Sequence, residues 1–401
     1  MQKWLSVAAV MVLCLSLVIG IACGGGGGEE EEEGVTKLKW GIGIPMTGIY
    51  GAAVGIPAEA AFSMAAEQVD VFEVGGKKYR WNLIFEDNLF TIAGGNASAL
   101  KFIHEHHVDF MHQAGADPGL AAVAIAEEYG MLLDTAGADY TDFSPEHPYF
   151  YQTSATWSLH APALFHWLKD AHPELHTVAF VAGDDRTSHA GGDAIVAAAE
   201  YYGFEMVFED YYPSGTVEFS YIATALYPHD PDILLSNPVD IYVMMKERGW
   251  DGLGLSWLWT DAPAEKVGWE NVEGVILSLP FAIGDHWPDV ITFREEYEHR
   301  YGLEFTPPAF WAANVIFVLT DVLRQAGTVD DMDKILETMK TGKFDTMVGP
   351  LGFGLEALNG IGNVVIYPTP IMRVTGRMEY ELMHLYTAEE TEEMMLEVYG
   401  K

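Results

Sequence analysis

Short apolar runs alternate with longer segments of helical spacing from residue 37 to about residue 259, and this alternation constrains the fold most. Residues 37–44, 79–85, 108–112 and 131–134 read as strands, rich in apolar and aromatic side chains and bounded by Gly, Pro or Asp. Residues 58–69, 95–106 and 120–129 repeat apolar side chains at helical spacing. Strands alternating with helices of this length predict a parallel sheet with helices on both faces, because parallel neighbours need a long crossover. The pattern restarts beyond Gln152. A helix at 159–170, a strand at 177–181 and a helix at 191–202 are followed by strands at 205–209, 233–236 and 255–259, with a helix at 239–248. Two α/β sheets in series account for this order, and no repeat of solenoid period is present.

The first 34 residues follow other rules. Lys3 is the only cation before an apolar run from Val7 to Ile21, and small Ala22 precedes Cys23. This resembles a bacterial lipoprotein signal, which implies lipidation of Cys23. Gly20 and Ile21 stand where such signals usually carry Leu and then Ala or Ser. An uncleaved anchor or an ordinary secretory signal is the alternative, since a bilayer is crossed by about 17–25 residues. All three export the body. Five glycines and five glutamates follow Cys23. Glycine resists ordering and the glutamates repel one another, so 23–34 is expected to be a tether. Its reach is at most about 40 Å, at roughly 3.5 Å per residue.

Composition narrows the function. The only cysteines are Cys14 and Cys23, which leaves the body without a disulfide, a Cys-based zinc site or a thiol nucleophile. The formal charge of −38 opposes binding to nucleic acid or to an anionic lipid surface. HEHH at 104–107 does not place its side chains on one helical face as an i, i+4 pair would. No Gly-x-Ser-x-Gly elbow and no phosphate-cradling loop occurs. Asp184 and Asp185 are adjacent in sequence, which alone makes no acid/base pair. The expectation is a protein that is not an enzyme, with no cofactor and no metal. A hydrolase is the enzymatic alternative.

Four motifs in order carry a family resemblance: IPMTGIYG at 44–51, FED at 85–87, AEEYGMLLDTAGA at 126–138 and VGPLGF at 348–353. Over residues 37–383 the chain resembles the type I periplasmic solute-binding proteins of ABC transporters, in the branched-chain amino-acid-binding (Leu/Ile/Val-binding-like) group. The resemblance implies two Rossmann-like lobes joined by a three-crossing hinge, with crossings near Gln152, Leu279 and Gly362. Residues 1–22 would be the signal, 23–34 the lipidated cysteine and tether, 35–152 plus 280–362 lobe one, and 153–279 plus 363–401 lobe two. It further implies a monomer that closes on a small-molecule ligand and docks on a membrane permease driven by separate ATPase subunits. Its place would be extracytoplasmic, held by the lipid anchor. A ligand-sensing receptor domain is the second non-enzymatic reading.

The resemblance also places candidate ligand contacts. The loop QAGAD at 113–117 brings Gly115, Ala116 and Asp117 where the family offers a serine and backbone N–H groups to a carboxylate. The loop AGAD at 136–139 brings Gly137, Ala138 and Asp139, with Asp139 where a threonine is usual. In DDRTSH at 184–189, Ser188 or His189 replaces a tyrosine. In WLWTD at 257–261, Asp261 matches the acid that pairs with a ligand amine. Tyr50 lies on a glycine-flanked loop of the cleft. Local roles compete. Asp117 is a possible helix cap ahead of Pro118, Asp139 a turn cap, and Asp261 the cap of a short helix. Trp257 and Trp259 alternate on a predicted strand, facing either core or cleft. Three acids on cleft loops predict poor binding of a simple monocarboxylate, and favour a small polar solute with an amine, an amide or hydroxyls.

Overall fold

The computed structural model describes residues 34–155, 157–213, 215–256, 259–278 and 286–400. The leader, Cys23 and the Gly/Glu tract to Glu33 lie outside the described residues, as do Trp257 and the crossing expected at Leu279.

Fifteen strands are described: β1 (Val35–Ile44), β2 (Val71–Val74), β3 (Lys77–Asp87), β4 (Phe110–Ala114), β5 (Leu133–Ala136), β6 (Phe150–Gln152), β7 (Thr177–Gly183), β8 (Glu205–Tyr212), β9 (Ile233–Ser236), β10 (Leu253–Ser256), β11 (Ile276–Ser278), β12 (Phe353–Gly354), β13 (Val364–Val365), β14 (Thr369–Gly376) and β15 (Glu379–Tyr386). They form two sheets, ordered β2-β3-β1-β4-β5-β6-β13-β12 and β8-β7-β9-β10-β11-β14-β15. The ladders β1/β4, β4/β5 and β5/β6 are parallel, as are β7/β8, β7/β9, β9/β10 and β10/β11. Hairpins edge the sheets. Val74 pairs with Lys77 across Gly75 and Gly76, both at positive φ, which a tight two-residue turn requires.

The chain leaves the first sheet after β6, returns after β11 and leaves again between β13 and β14. Each sheet with its helices is one lobe. In the first lobe, helix Ile56–Val69 packs against helix Pro307–Ala326. Trp40, Trp81, Phe72 and Phe110 cluster beneath, with Trp40 and Trp81 centroids 4.9 Å apart. The Trp81 indole N–H donates to Thr320 Oγ1 at 2.8 Å, so the buried ring leaves no orphan donor. Helix Ala388–Tyr399 ends the fold. Its capping box joins Thr387 and Glu390, and it packs on helix Trp157–Ala171 of the second lobe. It also reaches the first lobe: Tyr399 stacks on Tyr140, and Glu392 Oε1 accepts from the Leu355 amide at 2.7 Å.

Of the strand expected over 255–259, the part to Ser256 is described within β10, residues 257–258 lie outside the described residues, and Trp259 is not in a strand. Alternation therefore does not set its direction. It is buried, with its indole N–H shared by Asp261 Oδ1 and the Tyr380 hydroxyl, each at 3.1 Å.

Candidate functional site

A cavity of about 160 Å³ lies where both sheets present the carboxyl ends of their strands. Open α/β sheets usually bind ligands there. Ile44, Ala114 and Ala136 end β1, β4 and β5 at its wall, while Asp185, Thr187 and Ser188 follow β7 and Asn237 follows β9. Five aromatic rings also line it: Tyr50, Phe62, Phe90, Trp157 and Trp311. Tyr50 stacks on Phe90 with centroids 4.3 Å apart. Leu89 and Phe90 both hold positive φ, a conformation that bulky residues keep only where their surroundings enforce it. Gly115 completes that corner at φ +102, where a Cβ would sit 2.7 Å from the Phe90 ring.

The polar groups are few. His112 and Asp134 are register partners on β4 and β5, with Nδ1 and Oδ2 2.5 Å apart. Asp134 Oδ1 also accepts from Thr153 N and Oγ1, both at 2.8 Å. A carboxylate oxygen accepts, so Nδ1 of His112 carries the hydrogen and Nε2 is the nitrogen left for the cavity. His160 Nδ1 lies 3.0 Å from Thr369 Oγ1, and burial pushes the imidazole pKa down to about 3, so the ring is neutral. His160 Nε2, Asn237 Oδ1 and Trp311 Nε1 have no hydrogen-bond partner among the described residues. Buried polar atoms are rarely left so, and all three belong to residues of the cavity wall. No lysine or arginine is among the described lining residues.

Of the residues singled out in the sequence, Tyr50, Gly115, Gly137 and Ser188 line this cavity. Ser188 also serves its own helix, its N–H and hydroxyl donating to the cap Asp185 at 3.0 Å each. Ala116 and Ala138 are buried off the wall, with the Ala138 N–H given to Gln152 Oε1. Asp117 sits in the first turn of helix Ala116–Tyr129, also off the wall, and Gly115 rather than Asp117 occupies the cap position. Asp139 caps the turn Tyr140–Asp142 and accepts from Ser158 Oγ at 2.6 Å; burial raises its pKa. His189 turns to Asp184 at 2.9 Å and stacks on Tyr211. Asp261 accepts from Trp259 and Tyr380, and its N–H donates to Glu304.

None of Asp117, Asp139 and Asp261 lines the cavity, so the expected repulsion of a monocarboxylate loses its basis. The acid that does line it, Asp185, has both oxygens engaged by Ser188. Sequence reasoning missed His112, His160, Phe90, Trp157 and Trp311. A signal existed for His112: a histidine and an aspartate close two consecutive apolar runs, so neighbouring strands would set them side by side. Phe90 and Trp311 had no local signal. Among the described residues, no group of three or more His, Cys, Asp or Glu could hold a metal ion.

Besides the Ser158–Asp139 bond, two contacts bridge the lobes beside the cavity. Thr187 Oγ1 donates to the Gly137 carbonyl at 3.0 Å, and Arg186 meets Asp142 at 2.5 Å. Both contacts join the βα loops that border the cavity.

Two α/β lobes, a three-crossing hinge and a cleft between strand ends define a type I binding protein. Residues 37–375 match the family model described as periplasmic binding protein, and the chain belongs to that family of non-catalytic, extracytoplasmic carriers. Solved structures agree on the fold. A leucine binding protein from Thermotoga maritima superposes with a TM-score of 0.70 at 18% identity, covering 88% of this chain and 99% of that one. A solute binding protein from R. palustris in complex with 4-hydroxybenzoate gives 0.73 at 15%, covering 88% and 97%. Another from R. palustris, in complex with benzoate, gives 0.73 at 16%, covering 87% and 96%.

Proposed function

We propose that this protein is the extracytoplasmic receptor of an ABC importer, capturing a compact solute with an apolar, ring-sized body and one or two hydrogen-bonding groups. An aromatic carboxylic acid or an apolar amino acid has that shape. The observation that carries the reading is the aromatic-walled cavity of about 160 Å³ at the strand ends of both lobes. It is smaller than the roughly 300–1,000 Å³ of sites for drug-sized ligands. Structurally similar proteins with leucine, benzoate or 4-hydroxybenzoate in their descriptions support the class. The start of helix Ala116–Tyr129, with no side-chain cap and Gly115 on the wall, favours a carboxylate. Tyr50, Gly115, Gly137, Ser188, Asn237 and Trp311 are the contacts assigned to the solute.

The finer parts of the reading belong here too. Cys23 is the lipidated residue, and 23–34 is the tether that keeps the receptor near its permease while leaving it free to turn. Lobe one takes 35–152 plus 280–362, and lobe two the remainder of the body. The test is a thermal-shift screen of residues 35–401 with benzoate, 4-hydroxybenzoate, leucine, leucine amide and phenylalanine, followed by calorimetry. A ligand at 100 times its Kd adds about 2.7 kcal/mol of stability. Saturable binding without turnover supports the reading; hydrolysis of a bound compound, or no binding by any of these, refutes it.

A further inference from the structure

A carboxylate solute meets no fixed cation in the main cavity, because no lysine or arginine is among its described lining residues. Two carboxylates already stand near it. Asp185 lines the wall with both oxygens engaged by Ser188, and Asp134 is bonded to the lining residue His112. The start of helix Ala116–Tyr129 supplies about half a positive charge, and Asp117 in its first turn offsets part of that. An anion taken from water into an apolar wall needs a partner.

His112 is placed to become that partner. It stands two residues before Ala114 on β4, and Asp134 stands two before Ala136 on β5. Side chains return to one face every second residue, so the pair shares the sheet face that Ala114 and Ala136 present to the cavity. The His112 ring lines the cavity and meets Phe62 in an edge contact, with centroids 5.2 Å apart. Asp134 holds Nδ1 at 2.5 Å, and the two Thr153 donors hold Asp134. A neutral ring with its hydrogen on Nδ1 shows a lone pair at Nε2, which a carboxylate oxygen repels; an imidazolium shows an N–H there. With Asp134 on one nitrogen and a solute carboxylate on the other, both neighbours favour the charged ring.

The other titratable groups packed around the pair do not take this part. Burial pushes the His160 pKa down to about 3. Tyr151 and Tyr367, beside Asp134, are kept as neutral phenols by burial, and the charge of Asp134 acts in the same direction. Tyr50 adds only a phenol to the wall.

We propose that the cavity takes a monocarboxylate together with one proton from solvent, which His112 holds at Nε2 between the solute and Asp134. The inference rests on the main cavity being the solute site. The proton enters with the solute and returns to water on release, so loading adds no net charge to the site. Affinity for a monocarboxylate therefore rises toward acid pH, by up to about tenfold per pH unit, and affinity for a neutral analogue does not.

The probes are benzoate, 4-methylpentanoate, the two matching amides, and leucine, which brings its own cation. Titration calorimetry near pH 8, where a free imidazole is neutral, is run in phosphate and in Tris, whose different ionisation enthalpies report the protons exchanged. The expected result is uptake of about one proton per carboxylate bound and none with the amides. Asp134→Asn lets a neutral ring carry its hydrogen on Nε2, and His112→Gln removes the ring, so uptake should vanish in both variants. Carboxylate binding without proton uptake, equal uptake with the amides, or uptake that persists in either variant overturns the proposal and leaves the solute reading intact. Binding of the amides or of leucine, but of neither carboxylate, does the same. Binding by none of the five refutes the solute reading, and the proton linkage falls with it.

Discussion

Asp134→Ala is the substitution that tests the polar frame of the cleft most directly. Asp134 is fully buried and receives the His112 Nδ1–H, the Thr153 N–H and the Thr153 hydroxyl. It thereby ties β4, β5 and the segment that leaves the first sheet. Alanine leaves three buried donors unmet. Each unmet group costs about 1–3 kcal/mol, so three of them make a loss of about 4 kcal/mol the expected outcome. At roughly 2.1 cal/mol/K per residue, a cooperative unit of about 370 residues has an unfolding entropy near 0.8 kcal/mol/K, and Tm falls by about 5 °C. Asp134→Asn separates packing from charge. Its Oδ1 keeps both Thr153 contacts, but its NH2 faces His112 and is accepted only if the ring moves its hydrogen from Nδ1 to Nε2. We expect a loss of about 1–2 kcal/mol from this variant, together with a change in ligand preference, because the nitrogen left for the cavity changes from acceptor to donor. Urea unfolding of both variants measures the first effect and calorimetry the second. An Asp134→Ala variant within about 1 kcal/mol of the parent would refute the argument.

Four further outcomes are expected. The His160 pKa is about 3 in the fold against 6.5 in the unfolded chain, so its stabilising share is complete above pH 6.5 and is lost as pH falls toward 3, at up to about 1.4 kcal/mol per pH unit; urea midpoints between pH 7 and 4 should fall less steeply for His160→Gln, and equal slopes would contradict this. Gly115→Ala forces a side chain to φ +102 and into the Phe90 ring, which should cost about 1–3 kcal/mol and disturb the Tyr50 stack; unchanged stability and binding would speak against that corner. Thr187→Val removes a bond across the cleft and should raise the radius of gyration of the unliganded body in solution scattering, an effect that ligand reverses; a superimposable profile would show that this contact does not hold the lobes together. Cys23→Ser should release an exported protein from the membrane fraction, and retention there would mean that the leader itself is the anchor.

The layered architecture was legible because period-2 and period-3.6 patterns are local. The strand at β9 and the helix after it could be placed almost to the residue from such patterns. Helices with polar or glycine-rich first turns start earlier than their apolar spacing reveals: Arg186–Tyr202 begins five residues before Gly191. The site was legible only as loops. Gly115, Gly137 and Ser188 reached the cavity because βα loops at strand ends converge whatever their side chains do. Asp139 and Asp261 did not, because each found acceptable donors close by, Ser158 and Thr141 for one and Trp259 and Tyr380 for the other. Trp157 and Trp311 come from segments far apart in the chain, and only tertiary packing sets them around one cavity.

The last helix grips both lobes, through helix Trp157–Ala171 on one side and through Tyr140 and the Leu355 amide on the other. The end of the chain is therefore a built-in strain gauge for the hinge. Glu397 is exposed on that helix, and the body carries no native cysteine. A Glu397→Cys variant of residues 35–401 takes one dye at one position, close to where the lobes move against each other. Opening and closing then become an optical signal, read from the end of the polypeptide rather than from the binding cleft.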